Sequence, residues 1–228
     1  MINKIFFGLL FLFSAYTVKA QPSTKSISDT VDILNYDINL RLVNLSTKNI
    51  SGFTTIKFTP KVDNLASLKL DLLKLHMDSV HFENAPLTTY NYNDTVLSIN
   101  LPSPMNMDDT AYLSVFYHGA PQVDASGWGG FYFTNDSSYA YNLGVGFEAV
   151  PHNYGRVWFP CIDDFVDRAT YDCRITVKNE KMAVCGGTLV SVIDNGDNTS
   201  TYYWRLHDPI PTYLASVAVG PYVAVQDT

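Results

Sequence analysis

The sequence predicts an all-β domain, built as an antiparallel sandwich or a barrel-like sheet. Runs that alternate apolar and polar residues recur about every ten residues, and no stretch shows a convincing helical repeat of apolar positions. Hydrophobic residues make up 46% of the chain and aromatic residues 14%, which is ample for a packed core. A length of about 200 residues after a leader suits one large β-domain as well as two small ones, and we prefer one.

The first twenty residues have the organisation of a secretory signal peptide. Lys4 precedes the apolar run 5–13, and residues 18–20 (Val-Lys-Ala) suit signal peptidase. That run is too short to span a bilayer, which needs about 20 residues. We therefore expect a signal peptide at 1–20, a flexible lead-in at 21–30, and a secreted or periplasmic protein that has no membrane contact after cleavage. An uncleaved membrane anchor is the alternative.

In the first half of the chain, strand signals begin at Val31. Tyr36, Ile38, Leu40 and Leu42 share one face, and a turn through residues 44–47 leads to a hairpin partner. Further strands are expected at 51–59, 68–75, 77–82, 95–101 and 111–117, with Pro102, Pro104 and Asp108-Asp109 in the loop before the last. The leucines of 68–75 also fit a short amphipathic helix, but the length of that run favours a strand.

In the second half, glycines and strand signals continue the pattern. Gly127, Gly129 and Gly130 permit a tight turn around Trp128, because glycine adopts backbone conformations closed to other residues. The expected strands lie at 131–133, 139–143, 169–177, 182–192, 201–206 and 213–219. We expect 182–192 to pair with 169–177 across residues 178–181, and a tight turn at Asn195-Gly196.

The stretch 146–177 is the most specific part of the sequence. Residues 157–159 (Val-Trp-Phe) are too apolar for a surface loop, and Pro160 should halt a strand because proline has no N–H for the ladder. The sharp turn that must follow is rich in charged residues: Arg156, Asp163, Asp164, Asp167 and Arg168. We expect a corner closed by an ion pair between Arg156 and Asp163 or Asp164, beneath a hydrophobic plug.

This stretch resembles a signature of the N-terminal domain of aminopeptidase N-like zinc metallopeptidases, peptidase family M1, which runs roughly R-x-x-F-P-C-x-D-E-P-x-x-K-A. The matching residues are Arg156, Phe159, Pro160, Cys161, Asp163 and Ala169, with Asp164 for the second acid, Arg168 for the lysine and Phe165 in place of the proline. The segments NYDINLRL, SGFTTIKF and PTYLASVAVGPY also resemble strands of that domain. The resemblance therefore covers nearly the whole mature chain.

The resemblance implies a large, twisted, saddle-like β-sandwich over residues 31–228. Such a domain belongs to an exported zinc aminopeptidase, buttresses the catalytic domain and closes one wall of the substrate cleft. Zinc, general base and amine-binding loop lie in the catalytic domain, so we expect the chain to be inactive alone. Its implied partner is that domain, in cis or as a fragment, and peptide substrates are reached through the full-length enzyme.

The sequence itself contains neither catalytic motif of the family. A zinc peptidase of this type needs H-E-x-x-H, because positions i and i+4 share a helix face, and that motif and the G-A-M-E-N loop are both absent. Among the 5 histidines only His76 and His81 are close, and in a strand they fall on opposite faces, so we expect no metal site in this chain. A net charge of -7 excludes an electrostatic footprint for nucleic acid.

Glu148 is the one residue to which the resemblance gives a role in substrate binding. Family members carry a glutamine and a glutamate shortly before the signature arginine, and the glutamate helps to hold the substrate's α-amine. A carboxylate suits that role because its charge-assisted hydrogen bond to an ammonium is strong in a closed cleft. Here Val145 or Gly146 stands in place of the glutamine and the spacing to Arg156 is longer. A surface glutamate at a strand end is the alternative interpretation.

Two further questions stay open in the sequence. Cys161 is expected to be a buried thiol, and Cys173 and Cys185 could form a disulfide in an exported protein, but sequence cannot decide the pairing. A second functional hypothesis is a stand-alone secreted β-sandwich that binds peptide or glycan through the aromatic surface around Trp128 and Tyr132.

Overall fold

A computed structural model describes residues 27–225; the expected signal peptide and most of the expected lead-in lie outside this range. The strands are β1 (Val31–Arg41), β2 (Ile50–Pro60), β3 (Leu65–Asp71), β4 (His76–Phe82), β5 (Ala85–Leu87), β6 (Tyr90–Tyr92), β7 (Val96–Met105), β8 (Ala111–Gly119), β9 (Gly130–Phe133), β10 (Ala140–Leu143), β11 (Ala169–Lys178), β12 (Met182–Cys185), β13 (Thr188–Asp194), β14 (Thr199–Ile210) and β15 (Val217–Gly220). Short 3-10 turns lie at Ile27–Asp29, Leu45–Thr47, Gly155–Val157 and Thr212–Leu214.

These strands form three sheets. The largest has the order β13-β14-β11-β1-β2-β8-β4-β5, the second β12-β15-β10-β9 and the third β3-β7-β6. Every strand pair recorded in residues 27–225 is antiparallel except β1 with β11. The all-β sandwich predicted from the alternation is confirmed. None of the helical turns in the described range is long and apolar enough to cross a membrane.

The core is built on β1 and β11, the central parallel pair. Strand β11 alternates buried and half-buried residues along its whole length, so one face lies in the core. In β1, Tyr36, Ile38 and Leu40 are buried as predicted. Val31 and Ile33 are buried too, because a register shift between Ile33 and Asn35 moves the inward face from odd to even positions.

The boundary predicted at the two prolines is wrong. Pro102 and Pro104 lie inside β7, which extends to Met105. The β3–β7 register jumps at this point, from Ser67 opposite Asn100 to Leu65 opposite Met105. Proline has no N–H for a ladder, and the irregular register accommodates both prolines without ending the strand. Run 68–75 is a strand rather than a helix, although β3 ends at Asp71.

The predicted pairing of 182–192 with 169–177 is also wrong. That stretch divides into β12, which pairs with β15, and β13, which pairs with β14. The chain changes sheets at Gly186-Gly187. Gly187 has φ +96°, and a Cβ there would lie 2.2 Å from the carbonyl oxygen of Arg205, so only glycine fits this crossing. The last strand likewise begins at Val217, after the Thr212–Leu214 turn.

Candidate functional site

The candidate site is centred on a tight corner, which we define as residues 155–167. The corner contains a buried apolar plug, residues 157–159. Val157, Trp158 and Phe159 are fully buried, and the Phe159 ring meets the Tyr36 ring edge-on at a centroid distance of 5.4 Å. Cys161 then forms a two-residue bridge with Asp71 at the end of β3, with N–H···O distances of 2.7 and 3.0 Å. The corner is thereby fixed to two sheets at once.

The Asp163 carboxylate lies at the centre of the corner and is buried. One oxygen accepts hydrogen bonds from Arg156 Nη1 at 3.0 Å and from the Arg156 backbone N–H at 3.2 Å. The other accepts from Thr212 Oγ1 at 2.7 Å and from Gly155 N–H at 3.3 Å. The ion pair therefore forms between Arg156 and Asp163, and four donors compensate one buried charge.

Backbone N–H groups of the corner also connect it to β3 and β1. Asp163 N–H donates to Asp71 Oδ2 at 3.0 Å, and Ile162 N–H donates to the Tyr36 hydroxyl, also at 3.0 Å. Burial raises the pKa of the Asp71 carboxyl, and this hydrogen bond opposes the rise. Asp164 serves the turn locally, because its Oδ1 accepts from the N–H groups of Val166 and Asp167. Arg168 is exposed.

Arg156 also reaches outward to the segment that carries Glu148, residues 144–154, which we call the Glu148 loop. Its Nη1 donates to the carbonyl of Asn153 at 2.6 Å, and its Nη2 donates to the carbonyl of Pro151 at 3.2 Å. The guanidinium carbon lies 5.3 Å from the centroid of the Tyr154 ring. One planar cation thus binds both the corner and the loop.

The other side of the Glu148 loop is fastened to Asp124. The backbone N–H of Glu148 donates to Asp124 Oδ2 at 3.0 Å. A hydrogen bond from the Ser126 hydroxyl, and then the one from Glu148, hold the pKa of the Asp124 carboxyl below its usual value. The Glu148 side chain is exposed, and within residues 27–225 its carboxylate forms no hydrogen bond or ion pair. The backbone is anchored while the carboxylate stays available.

The glycine turn around Trp128 packs directly on the Glu148 loop. Gly129 has φ +115°, and a Cβ there would lie 1.9 Å from the Val145 carbonyl oxygen, so the approach requires glycine. Trp128 and Phe147 form an exposed aromatic pair with ring centroids 6.3 Å apart. The Tyr132 hydroxyl accepts from Gly129 N–H at 2.8 Å, so it braces the turn from within.

A cleft of about 340 Å³ separates the Glu148 loop from β3 and β7. Its lining includes Asp71, Leu73, Val96, Val150, Tyr154 and Arg156. Ala149, next to Glu148, also lines it. The cleft therefore lies between Arg156 of the corner and the residues that follow Glu148 in the loop.

The remaining candidate residues are distributed as follows. Cys161, Cys173 and Cys185 are all free and buried, and burial raises the pKa of the Cys161 thiol. Cys173 and Cys185 lie on strands of different sheets, and a hydrogen bond with Cys173 raises the pKa of Cys185.

Among the described residues, His76 does not form a group of potential metal ligands with His81. It lies instead beside His118, a residue that sequence spacing could not associate with it.

Comparison with known proteins gives a family match and several relatives. The family model described as the peptidase M1 N-terminal domain matches residues 33–214. Leucine aminopeptidase 2 of Vanderwaltozyma polyspora is 26% identical over 209 residues, covering 89% of this chain and 30% of that protein. Transcription initiation factor TFIID subunit 2 of Gallus gallus is 22% identical over 223 residues, covering 81% of this chain and 19% of that protein.

A crystal structure of an M1 zinc metallopeptidase from Deinococcus radiodurans, bound to a Tyr-Ser-Ala substrate, shares the fold. The TM-score is 0.74 at 22% sequence identity, and the match covers 86% of this chain and 46% of that one. The present chain thus spans about a third of the aminopeptidase and less than half of the solved structure.

We expect a nearly isosteric substitution at Asp163 to have a large effect on stability. Asp163→Asn leaves the half-buried Arg156 guanidinium without its counter-charge, and we expect it to lower the free energy of unfolding by about 3 kcal/mol. Asp164→Asn is the matched control and should cost less than about 1 kcal/mol, since an amide oxygen can still accept the turn hydrogen bonds. Urea unfolding at pH 7 measures both. Equal losses in the two variants would contradict this assignment.

We expect Asp167 to make the stability of the folded state depend on pH. Burial raises its pKa to about 7, and within residues 27–225 only its Oδ1 has a hydrogen-bond partner, the Ile33 N–H at 3.3 Å. Because the native state holds the proton that the unfolded state releases near pH 4, this residue makes stability fall as pH rises from about 4 to about 7. Asp167→Asn should remove that decline, so its stability relative to the parent should increase across the interval. Unfolding titrations at pH 4, 5.5, 7 and 8 test this, and a parallel pH profile would refute it.

Proposed function

The chain belongs to the peptidase M1 N-terminal domain family, and we propose that it serves as the non-catalytic N-terminal domain of an exported zinc aminopeptidase. The observation that carries the proposal is the Arg156–Asp163 corner, which holds the Glu148 loop beside a cleft. The related M1 peptidases are zinc enzymes. This sequence contains no H-E-x-x-H, so hydrolysis of peptides from their amino ends would need a catalytic domain, in cis or as a separate fragment.

Within that enzyme, Glu148 would hold the free α-amine of the substrate. Its carboxylate is exposed and uncommitted among the described residues, while its backbone is fixed through Asp124. Such a carboxylate forms a strong charge-assisted hydrogen bond with an ammonium once a neighbouring domain excludes water. A preorganised backbone also lowers the entropic cost of binding. These features support a role as one wall of the substrate cleft.

The exposed apolar surface supports a role in buttressing a neighbour. Edge strand β13 exposes Leu189, Val190, Val192 and Ile193, each at least 42% exposed. An edge strand with this composition invites pairing or aggregation unless it is covered. A catalytic domain packed against the sandwich would cover it. The export of the enzyme is proposed from the leader at residues 1–20.

A stand-alone peptide- or glycan-binding sandwich is the second candidate. The observation that favours it is the exposed pair Trp128 and Phe147, at 55% and 69% exposure. Aromatic faces of this kind stack on sugars and on apolar peptide side chains. Tyr132 contributes less than the sequence indicates, because its hydroxyl is bound inside the glycine turn.

The test compares this chain alone with an enzyme that carries it together with the catalytic domain. The chain alone should not hydrolyse aminoacyl anilides. In the two-domain enzyme, Glu148→Gln should lower kcat/KM for substrates with a free amino terminus by at least about tenfold, the equivalent of one charged hydrogen bond. Glu180→Gln, at another exposed glutamate, should leave kcat/KM unchanged.

Equal kcat/KM values for the Glu148 and Glu180 variants would remove Glu148 from substrate binding. Retention of peptides or oligosaccharides by the chain alone, lost in Trp128→Ala, would favour the second candidate.

A further inference from the structure

A cluster of metal-ligand side chains lies outside the candidate site, on the outer face of the largest sheet. Strands β4 and β8 pair with His76 directly opposite His118. Their imidazole rings stack with centroids 4.6 Å apart and an interplanar angle of 21°. Cross-strand partners of this kind are held close by the ladder itself, so the two rings meet without further packing.

A β-bulge adds the third residue. The β4–β8 register shifts between Met77 and Ser79, which leaves Asp78 without a partner on β8. His118 Nδ1 lies 2.8 and 3.0 Å from the two carboxylate oxygens of Asp78, and His76 Nδ1 lies 3.9 Å from Oδ1. The Asp78 carboxylate therefore lies near Nδ1 of both histidines, and Nδ1 of His76 also lies 3.1 Å from the Met77 carbonyl oxygen, a contact that a metal ligand would have to give up.

These distances suit a divalent cation. One ligand atom from each of the three residues lies within 4.8 Å of the other two. In tetrahedral zinc sites ligands lie about 2 Å from the metal and thus roughly 3.3 Å from one another, so the 2.8 and 3.9 Å separations bracket the required value. Two imidazoles and one carboxylate also match the ligand preferences of zinc and leave a fourth position for water.

We propose that His76, Asp78 and His118 form a zinc-binding site that clamps β4 to β8, separate from any catalytic metal. A cation can enter freely, because the three side chains are 68%, 44% and 48% exposed. Open depressions of about 730 Å³ beside His76 and about 510 Å³ beside Asp78 and His118 flank the cluster. The clamp would stabilise β4 near the edge of the sheet, where the three-residue β5 is the one strand beyond it in the described part of the chain.

Calorimetric titration of the metal-free chain with Zn²⁺ tests the site. We expect saturable binding of one zinc per chain and a rise in the unfolding temperature with zinc concentration. His118→Gln and Asp78→Asn should each weaken binding at least tenfold. All three residues are exposed, so circular dichroism should show an unchanged fold in the variants.

His81→Gln is the matched control, since His81 lies on the same strand with its ring against Phe116 and outside the cluster. It should bind zinc with unchanged affinity. In ¹⁵N spectra of histidine side chains, zinc should shift the Nδ1 signals of His76 and His118 and leave those of His81 in place. Absence of binding, binding that survives His118→Gln, or ¹⁵N shifts confined to other histidines would overturn the proposal.

Discussion

The structure depends on one buried charge, the carboxylate of Asp163. A carboxylate taken out of water is costly unless donors surround it, and here Arg156, Gly155 and Thr212 supply them. Gly155 and Arg156 lie in one turn and Thr212 lies in another, so satisfying the charge brings these two segments together. The segment before β15, the turn after the Glu148 loop and the end of β3 all meet at this point.

The Arg156–Asp163 interaction also helps to position Glu148, the residue proposed to bind substrate. Arg156 also donates to the carbonyls of Asn153 and Pro151, so the corner holds one side of the Glu148 loop. Asp124 fixes the opposite side of the loop through the Glu148 N–H. An exposed carboxylate on an anchored backbone is the arrangement expected of a residue that binds a charged group presented by another domain.

Local sequence patterns predicted strand faces and the corner. They missed the features that depend on pairing between residues far apart in the chain. Strand β11 alternates so regularly that its inward face can be read from the sequence, and the charges around Pro160 predicted the corner. The bulge that shifts burial in β1 and the sheet change at Gly187 arise from neighbours far along the chain. His76 and His118 meet for the same reason: register brings them together, and a spacing rule could compare His76 only with His81.

Hydrogen exchange of the Glu148 loop measures directly whether the Arg156–Asp163 corner holds that loop in place. The amides of Gly146 and Tyr154, hydrogen-bonded to the carbonyls of His152 and Gly144, report whether the loop is held. Arg156→Lys keeps the positive charge but loses the planar fork that reaches two loop carbonyls. We expect these two amides to exchange at least about tenfold faster in the variant while β11 amides keep their protection. Unchanged protection of the loop would contradict the claim that the corner positions Glu148.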